Sequence, residues 1–73
     1  MNVTFRDIRL DKGMSQEEMA NFLGITQGTW SYWENGKTGI SSQMARILQD
    51  KLGLTYFQIK AIHQNTVNAH KRN

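Results

Sequence analysis

The sequence predicts an all-α fold of five short helices, and three features of the chain support this prediction. A Ser or Thr able to cap a helix occurs at five places, each with an apolar residue just before it and another four positions after it. Glycines stand where the helices opened by these caps are expected to end. No stretch of useful length alternates between apolar and polar residues with the period of a strand.

Caps and stops place the helices in chain order. The capping residues are Thr4, Ser15, Thr26, Ser41 and Thr55. Side chains able to complete a capping box follow three positions later in three cases, at Asp7, Glu18 and Gln58. The glycines that can end a helix in the left-handed conformation are Gly13, Gly24, Gly36 and Gly53. We therefore predict helices over about 5–12, 16–23, 27–34, 42–52 and 56–63, followed by a frayed polar tail over 64–73.

Length, composition and charge limit the range of functions. The chain has 73 residues, which suffice for one domain with a thin core, expected over 1–63. It has no cysteine, so caps and core packing must hold the fold without disulfides. The net charge is +3, but Lys71 and Arg72 supply two of these charges, so bulk charge is weak evidence for nucleic acid. No apolar run reaches the roughly 20 residues of a membrane span, and 1–7 lack the apolar segment of a secretion signal, so we expect a cytoplasmic protein.

The segment from Gln16 to Glu34 has the pattern of a helix-turn-helix. Counting Gln16 as one, the inward positions four, eight, ten, fifteen and eighteen are all apolar: Met19, Leu23, Ile25, Trp30 and Trp33. Ala20 and Gly24 leave room for two helices to cross closely. The other face of the second helix carries small or polar side chains, namely Gln27, Gly28, Ser31 and Tyr32. Such a face is what a recognition helix needs in order to contact DNA.

From about Phe5 to Ile59 the sequence resembles the lambda-type repressor and Cro family of helix-turn-helix regulators. The residues that carry the resemblance are GMSQEEMA at 13–20, LGITQ at 23–27, WENGK at 33–37 and LGLT at 52–55. Each motif alone is weak, but their joint spacing is specific. The resemblance implies a five-helix repressor-like domain with its helix-turn-helix at helices two and three, which binds double-stranded DNA and regulates transcription.

The resemblance also implies roles for particular residues. Gln16 corresponds to a glutamine that binds a phosphate and supports Gln27, which takes adenine through two hydrogen bonds. Gly28 replaces a longer side chain of the family, so that the backbone approaches the bases and leaves room for a thymine methyl. Arg9 and Glu34 correspond to a structural ion pair. The full set of expected DNA contacts is Gln16, Thr26, Gln27, Gly28, Thr29, Ser31, Tyr32, Asn35, Lys37 and Thr38.

Some residues allow two interpretations. Trp30 and Trp33 fall on inward positions, which favours the core over a platform for base stacking. Lys37 follows a helix end, where a lysine either contacts a phosphate or only complements the helix dipole. On helix five, Tyr56, Phe57, Ile59 and Ile62 are either all core or partly exposed at a contact with another chain.

Three functions remain open. The first is a stand-alone regulator, most simply a repressor, that binds a nearly palindromic operator as a weak homodimer formed cooperatively on DNA. The second is an antitoxin or adaptor of the same fold that mainly binds a partner protein. The third is the DNA-binding part of a longer regulator. His63 and His70 have no cysteine or carboxylate cluster beside them, so we expect no enzyme, no metal site and no cofactor.

Overall fold

The computed structural model describes residues 2–71, which form five α-helices and no strand. The helices are α1 Phe5–Asp11, α2 Gln16–Leu23, α3 Gln27–Glu34, α4 Ser42–Leu52 and α5 Tyr56–Ala69. The predicted all-α fold is confirmed, and the first four helices lie within one residue of their predicted bounds. Among these helices, none combines the length and apolarity that crossing a membrane requires.

All five predicted caps are present. The side chains of Thr4, Ser15, Thr26, Ser41 and Thr55 each accept a hydrogen bond from the backbone N–H three residues later. The capping boxes predicted with Asp7, Glu18 and Gln58 also form in full. Because each box satisfies two N–H groups that the helix itself leaves open, the helix starts follow from local sequence.

An aromatic cluster forms the centre of the core. Phe5, Trp30 and Trp33 are buried, with ring centroids 5.8 Å apart for Phe5 and Trp30 and 5.9 Å apart for the two tryptophans. Their edge-to-face geometry is favourable for aromatic pairs. Around them lie further buried residues, Met19, Ala20, Leu23, Ala45, Leu48, Ile59 and Ile62. The assignment of both tryptophans to the core is confirmed.

The prediction that α5 ends at residue 63 is wrong. The helix continues to Ala69, and its last turns pack against α1 and against the end of α3. Thr66 is buried, where its hydroxyl accepts the Phe5 N–H at 3.1 Å and donates to the Ile62 carbonyl at 2.8 Å. The Asn65 amide donates to the Val3 carbonyl at 3.0 Å. The predicted frayed tail is therefore ordered helix up to residue 69, because its polar groups satisfy backbone groups elsewhere in the fold.

We expect Thr66→Val to lower the free energy of unfolding by about 1–3 kcal/mol, because it leaves the buried Phe5 N–H without an acceptor. Urea denaturation monitored by tryptophan fluorescence measures this change. Asn68→Ala, on an exposed part of the same helix, is the control and should stay within about 0.5 kcal/mol of wild type. Equal stability of Thr66→Val and wild type would mean that the end of α5 does not hold the start of α1.

Candidate nucleic-acid interface

The carboxylate of Glu34, at the end of α3, is buried and receives N–H groups from three helices. Arg9 of α1 donates its Nε to Oε2 and its Nη2 to Oε1, the latter at 3.2 Å. Gln16 of α2 donates its Nε2 to Oε1 at 3.2 Å. Trp30, one turn earlier in α3, donates its indole Nε1 to Oε2. The two oxygens thus accept four hydrogen bonds, and one side chain joins α1, α2 and α3.

Burial and hydrogen bonding have opposite effects on the pKa values of Glu34 and Arg9. Burial alone raises the pKa of Glu34, but the hydrogen bonds from Arg9, Gln16 and Trp30, together with the charge of Arg9, hold that pKa below its ordinary value. The hydrogen bond and charge of Glu34 raise the pKa of Arg9 against the opposite effect of burial. Arg9 also donates from Nη1 to the Met14 carbonyl at 3.1 Å, which closes the turn between α1 and α2. The pair is therefore ionised at neutral pH and sets the angle between the first helices.

The opposite face of α3 is open to solvent. Gln27, Gly28 and Tyr32 are exposed, Tyr32 by 57%. Ser31 is half-buried between them and the core. Because Trp30, Trp33 and Glu34 fix the inner face, these outer side chains project from a rigid helix.

The turn between α2 and α3 is tight. Gly24 takes φ of 74°, and the Ile25 N–H donates to the Ala20 carbonyl at 3.0 Å. The left-handed conformation of this single glycine therefore ends α2. Thr26 then caps α3, and its hydroxyl lies 2.8 Å from that of Thr29. One of the two hydroxyls therefore donates to the other at the start of the exposed face.

The loop after α3 begins with a Schellman turn. Gly36 takes φ of 65° while its N–H donates to Trp33, and the Lys37 N–H donates to the Tyr32 carbonyl at 2.9 Å. The Asn35 amide approaches the Ser31 hydroxyl at 3.4 Å. Asn35, Lys37 and Thr38 are all exposed, so the loop extends the open face of α3.

The Gln16 side chain makes a contact that the sequence did not predict, while its expected phosphate contact stays a prediction. Its amide donates to Glu34, and within residues 2–71 no hydrogen bond joins it to Gln27. A carboxylate is a stronger acceptor than a neutral amide, which explains the preference. The Gln16 amide keeps a second N–H and its own oxygen for a further partner.

Sequence reasoning gave His63 and His70 no role, but both contact the backbone around the loop after α3. The Nε2 of His63 lies 3.1 Å from the Thr38 carbonyl oxygen, and that of His70 lies 2.9 Å from the Glu34 carbonyl oxygen. Their spacing of seven residues, two helical turns, places both rings on one side of a helix that continues beyond residue 63. This spacing could have predicted that the two histidines share a face of α5. It was not used because α5 was predicted to end at residue 63.

Comparison with known proteins identifies the family. A helix-turn-helix family model, of the Cro and repressor type, matches residues 5–59. The chain belongs to this family. No curated protein and no solved structure gives a significant match. The protein is a DNA-binding domain of the helix-turn-helix regulatory class, and the helix-turn-helix is formed by α2 and α3.

We expect the stability of the protein to fall at acidic pH through Glu34. Its folded-state pKa lies below the unfolded value of about 4.3, so the stabilisation is complete above that pH and is lost as pH falls through the folded pKa. Glu34→Gln should lose roughly 2–4 kcal/mol at pH 7 and show a shallower decline in acid, since Arg9 loses its partner. Urea denaturation between pH 7 and pH 2.5 measures both effects.

Glu17→Gln, an exposed change of the same kind on α2, is the control and should match wild type at pH 7. If Glu34→Gln and Glu17→Gln decline in parallel with wild type throughout the acid range, the Glu34 carboxylate does not hold the helices together.

Proposed function

We propose that the protein binds double-stranded DNA sequence-specifically by placing the outer face of α3 in the major groove, and that it represses transcription by occupying a nearly palindromic operator. The observation that supports this most is the division of α3 into two faces. Its inner face is fixed by buried Trp30, Trp33 and Glu34, while its outer face is exposed and polar. The proposed place of action is the nucleoid.

Gln27 is the proposed reader of a base. It is the first residue of α3, exposed, and next to the Thr26 cap, where a side chain of a docked recognition helix meets the base edges. Its amide offers a donor and an acceptor side by side, which matches the N6 and N7 groups of adenine.

We expect Gln27→Ala to lower specific affinity by about 1–3 kcal/mol and to relax the preference at one adenine-bearing position. Selection of bound sites from a randomised duplex pool, carried out for wild type and variant, measures the preference. Asn21→Ala, an exposed amide on α2 outside the proposed contacts, is the control. Identical base preferences for Gln27→Ala and wild type would contradict base reading by this residue.

Gly28 supports close approach of the bases. A glycine in a helix costs roughly 0.5–1 kcal/mol relative to alanine, so its presence in α3 calls for a reason. It does not take a positive φ, and a Cβ added to it would meet no atom of the protein within 4 Å. The fold therefore gives no reason for a glycine, whereas a DNA base or a thymine methyl packed on the backbone would supply one.

We expect Gly28→Ala to leave the free energy of unfolding unchanged or to raise it by up to about 1 kcal/mol, while lowering affinity for the selected site by about 1–3 kcal/mol, the usual cost of overpacking a close contact. Thermal melting and fluorescence anisotropy measure the two quantities. A variant that is more stable and binds as tightly as wild type would show that no base approaches this backbone.

The phosphate contacts are proposed for residues that flank α3. Within residues 2–71 the Gln16 side-chain amide makes one hydrogen bond, to Glu34, so its second N–H can donate to a phosphate. Asn35, Lys37 and Thr38 lie in the exposed loop. Thr26, Thr29, Ser31 and Tyr32 complete the proposed contact surface. Lys37 carries the positive charge of this loop, which favours a phosphate contact over a contribution to the helix dipole alone.

We propose that two copies bind together, because one recognition helix covers too few base pairs to specify a site. Half-sites would then be centred about 34–36 Å apart. Among the residues considered for the contact, Ile62 is buried with Ile59 and is therefore not available. Tyr56 and Phe57 are exposed, Phe57 by 83%, and their rings lie together on the first turn of α5.

We expect the protein to sediment mainly as a monomer at micromolar concentration, and two copies to bind the selected palindromic duplex cooperatively. Phe57→Ser should weaken this cooperativity, whereas Leu10→Ser, an exposed apolar residue of α1, should not. A strict one-to-one complex at excess protein would refute the dimer. It would favour the second candidate function, an antitoxin or adaptor that uses Phe57 to bind a different protein.

A further inference from the structure

The last two turns of α5 lie outside the region that the family match covers. The match ends at residue 59, whereas α5 continues to Ala69. These turns lie against the loop that follows α3, which carries Lys37 and Thr38. A segment beyond the family domain thus contacts part of the proposed DNA interface.

Three contacts join the end of α5 to this loop. His70 meets the Glu34 carbonyl at 2.9 Å, at the start of the loop, and His63 meets the Thr38 carbonyl at 3.1 Å, four residues later. Between them, a Cβ placed on Gly36 would lie 3.1 Å from the Cα of Val67. The loop backbone therefore lies directly on the helix, fixed at both ends by an imidazole and in the middle by close packing.

Among residues 2–71, no backbone N–H of the loop donates to the carbonyls of Glu34 and Thr38. The Schellman turn uses the carbonyls of Tyr32 and Trp33, and within residues 2–71 no backbone N–H outside the regular helix pattern reaches the Glu34 carbonyl. A carbonyl accepts, so each histidine must donate from Nε2, which a neutral ring protonated at that atom and a cationic ring both do. The contacts therefore require an N–H donor at these positions and no particular charge.

We propose that His63 and His70 are positioning residues for DNA binding, which hold the loop from Asn35 to Thr38 in the conformation that lets Lys37 contact a phosphate. This inference rests on the proposed function. Neither histidine needs to touch DNA. Without the two donors, the loop keeps the Schellman turn and the packing of Gly36 on Val67 but loses the hydrogen bonds that hold the Glu34 and Thr38 carbonyls.

The experiment compares three double variants by their affinity for the selected duplex as a function of salt concentration, well below their melting temperatures. His63→Ala with His70→Ala removes both donors. His63→Gln with His70→Gln restores an N–H donor at each position. Gln64→Ala with Asn68→Ala, which breaks a hydrogen bond on the exposed side of the same turns, is the matched control.

We expect the double alanine variant of the histidines to bind about tenfold more weakly, with the slope of log affinity against log salt reduced by about one, as for loss of one phosphate contact. The double glutamine variant should recover at least part of the affinity and of the salt slope. The Gln64→Ala, Asn68→Ala control should match wild type in both quantities. In a Lys37→Ala background the same histidine changes should cost less than about twofold, because the contact they support is already gone.

Two outcomes distinguish a failure of the positioning role from a failure of the Lys37 phosphate contact. If Lys37→Ala alone lowers affinity and salt slope but the histidine variants bind as wild type, the positioning role is refuted and the proposed phosphate contact stands. If Lys37→Ala binds as wild type with an unchanged slope, the phosphate contact is refuted and the positioning role with it. Should the double alanine variant melt too low, His63→Ala alone, which leaves the end of α3 capped by His70, is measured in its place. An unchanged salt slope for that variant also refutes the proposal.

Discussion

The buried carboxylate of Glu34 is the interaction on which the rest of the structure depends. A charge placed in a small core destabilises the fold unless hydrogen bonds surround it. Here Arg9, Gln16 and Trp30 together supply four donors, one or more from each of the first three helices. Removing the carboxylate would leave all four donors without this acceptor, so the angles among α1, α2 and α3 are set by the need of three helices to reach one side chain.

This constraint explains why α3 is suited to recognition. The Trp30 indole donates to Glu34 with its N–H and packs against Phe5 with its ring, so one side chain joins the polar and aromatic halves of the inner face. With that face fixed, the side chains of Gln27 and Tyr32 need no intramolecular role and remain exposed. Rigid support behind an exposed face reduces the ordering cost of binding. The end of α5 extends the same principle to the loop that carries Lys37.

Local sequence predicted the helix starts because capping is a local interaction: Ser15 and Glu18, for example, satisfy each other's backbone within one turn. It did not predict the end of α5, since Asn65, Thr66 and His70 each have a hydrogen-bond partner at least 36 residues away along the chain. The polar residues after position 63 suggested a solvent-exposed tail, but several of them form hydrogen bonds with distant backbone groups. Exposure along α5 was left open for a related reason, because helical spacing alone does not tell which of Phe57 and Ile59 faces the core. Which bases the exposed face reads depends on groups of the DNA, and these lie outside the chain.

We propose that DNA binds the outer face of α3 and the loop after it, on a domain whose first three helices Glu34 joins. The most direct measurement is a titration of the isotope-labelled protein with the selected duplex, followed through backbone amide resonances. We expect the largest shifts at Gln27, Gly28, Tyr32 and Lys37, and little change at the core amides near Trp33. Shifts confined to α5 around Tyr56 and Phe57, with α3 unaffected, would contradict it.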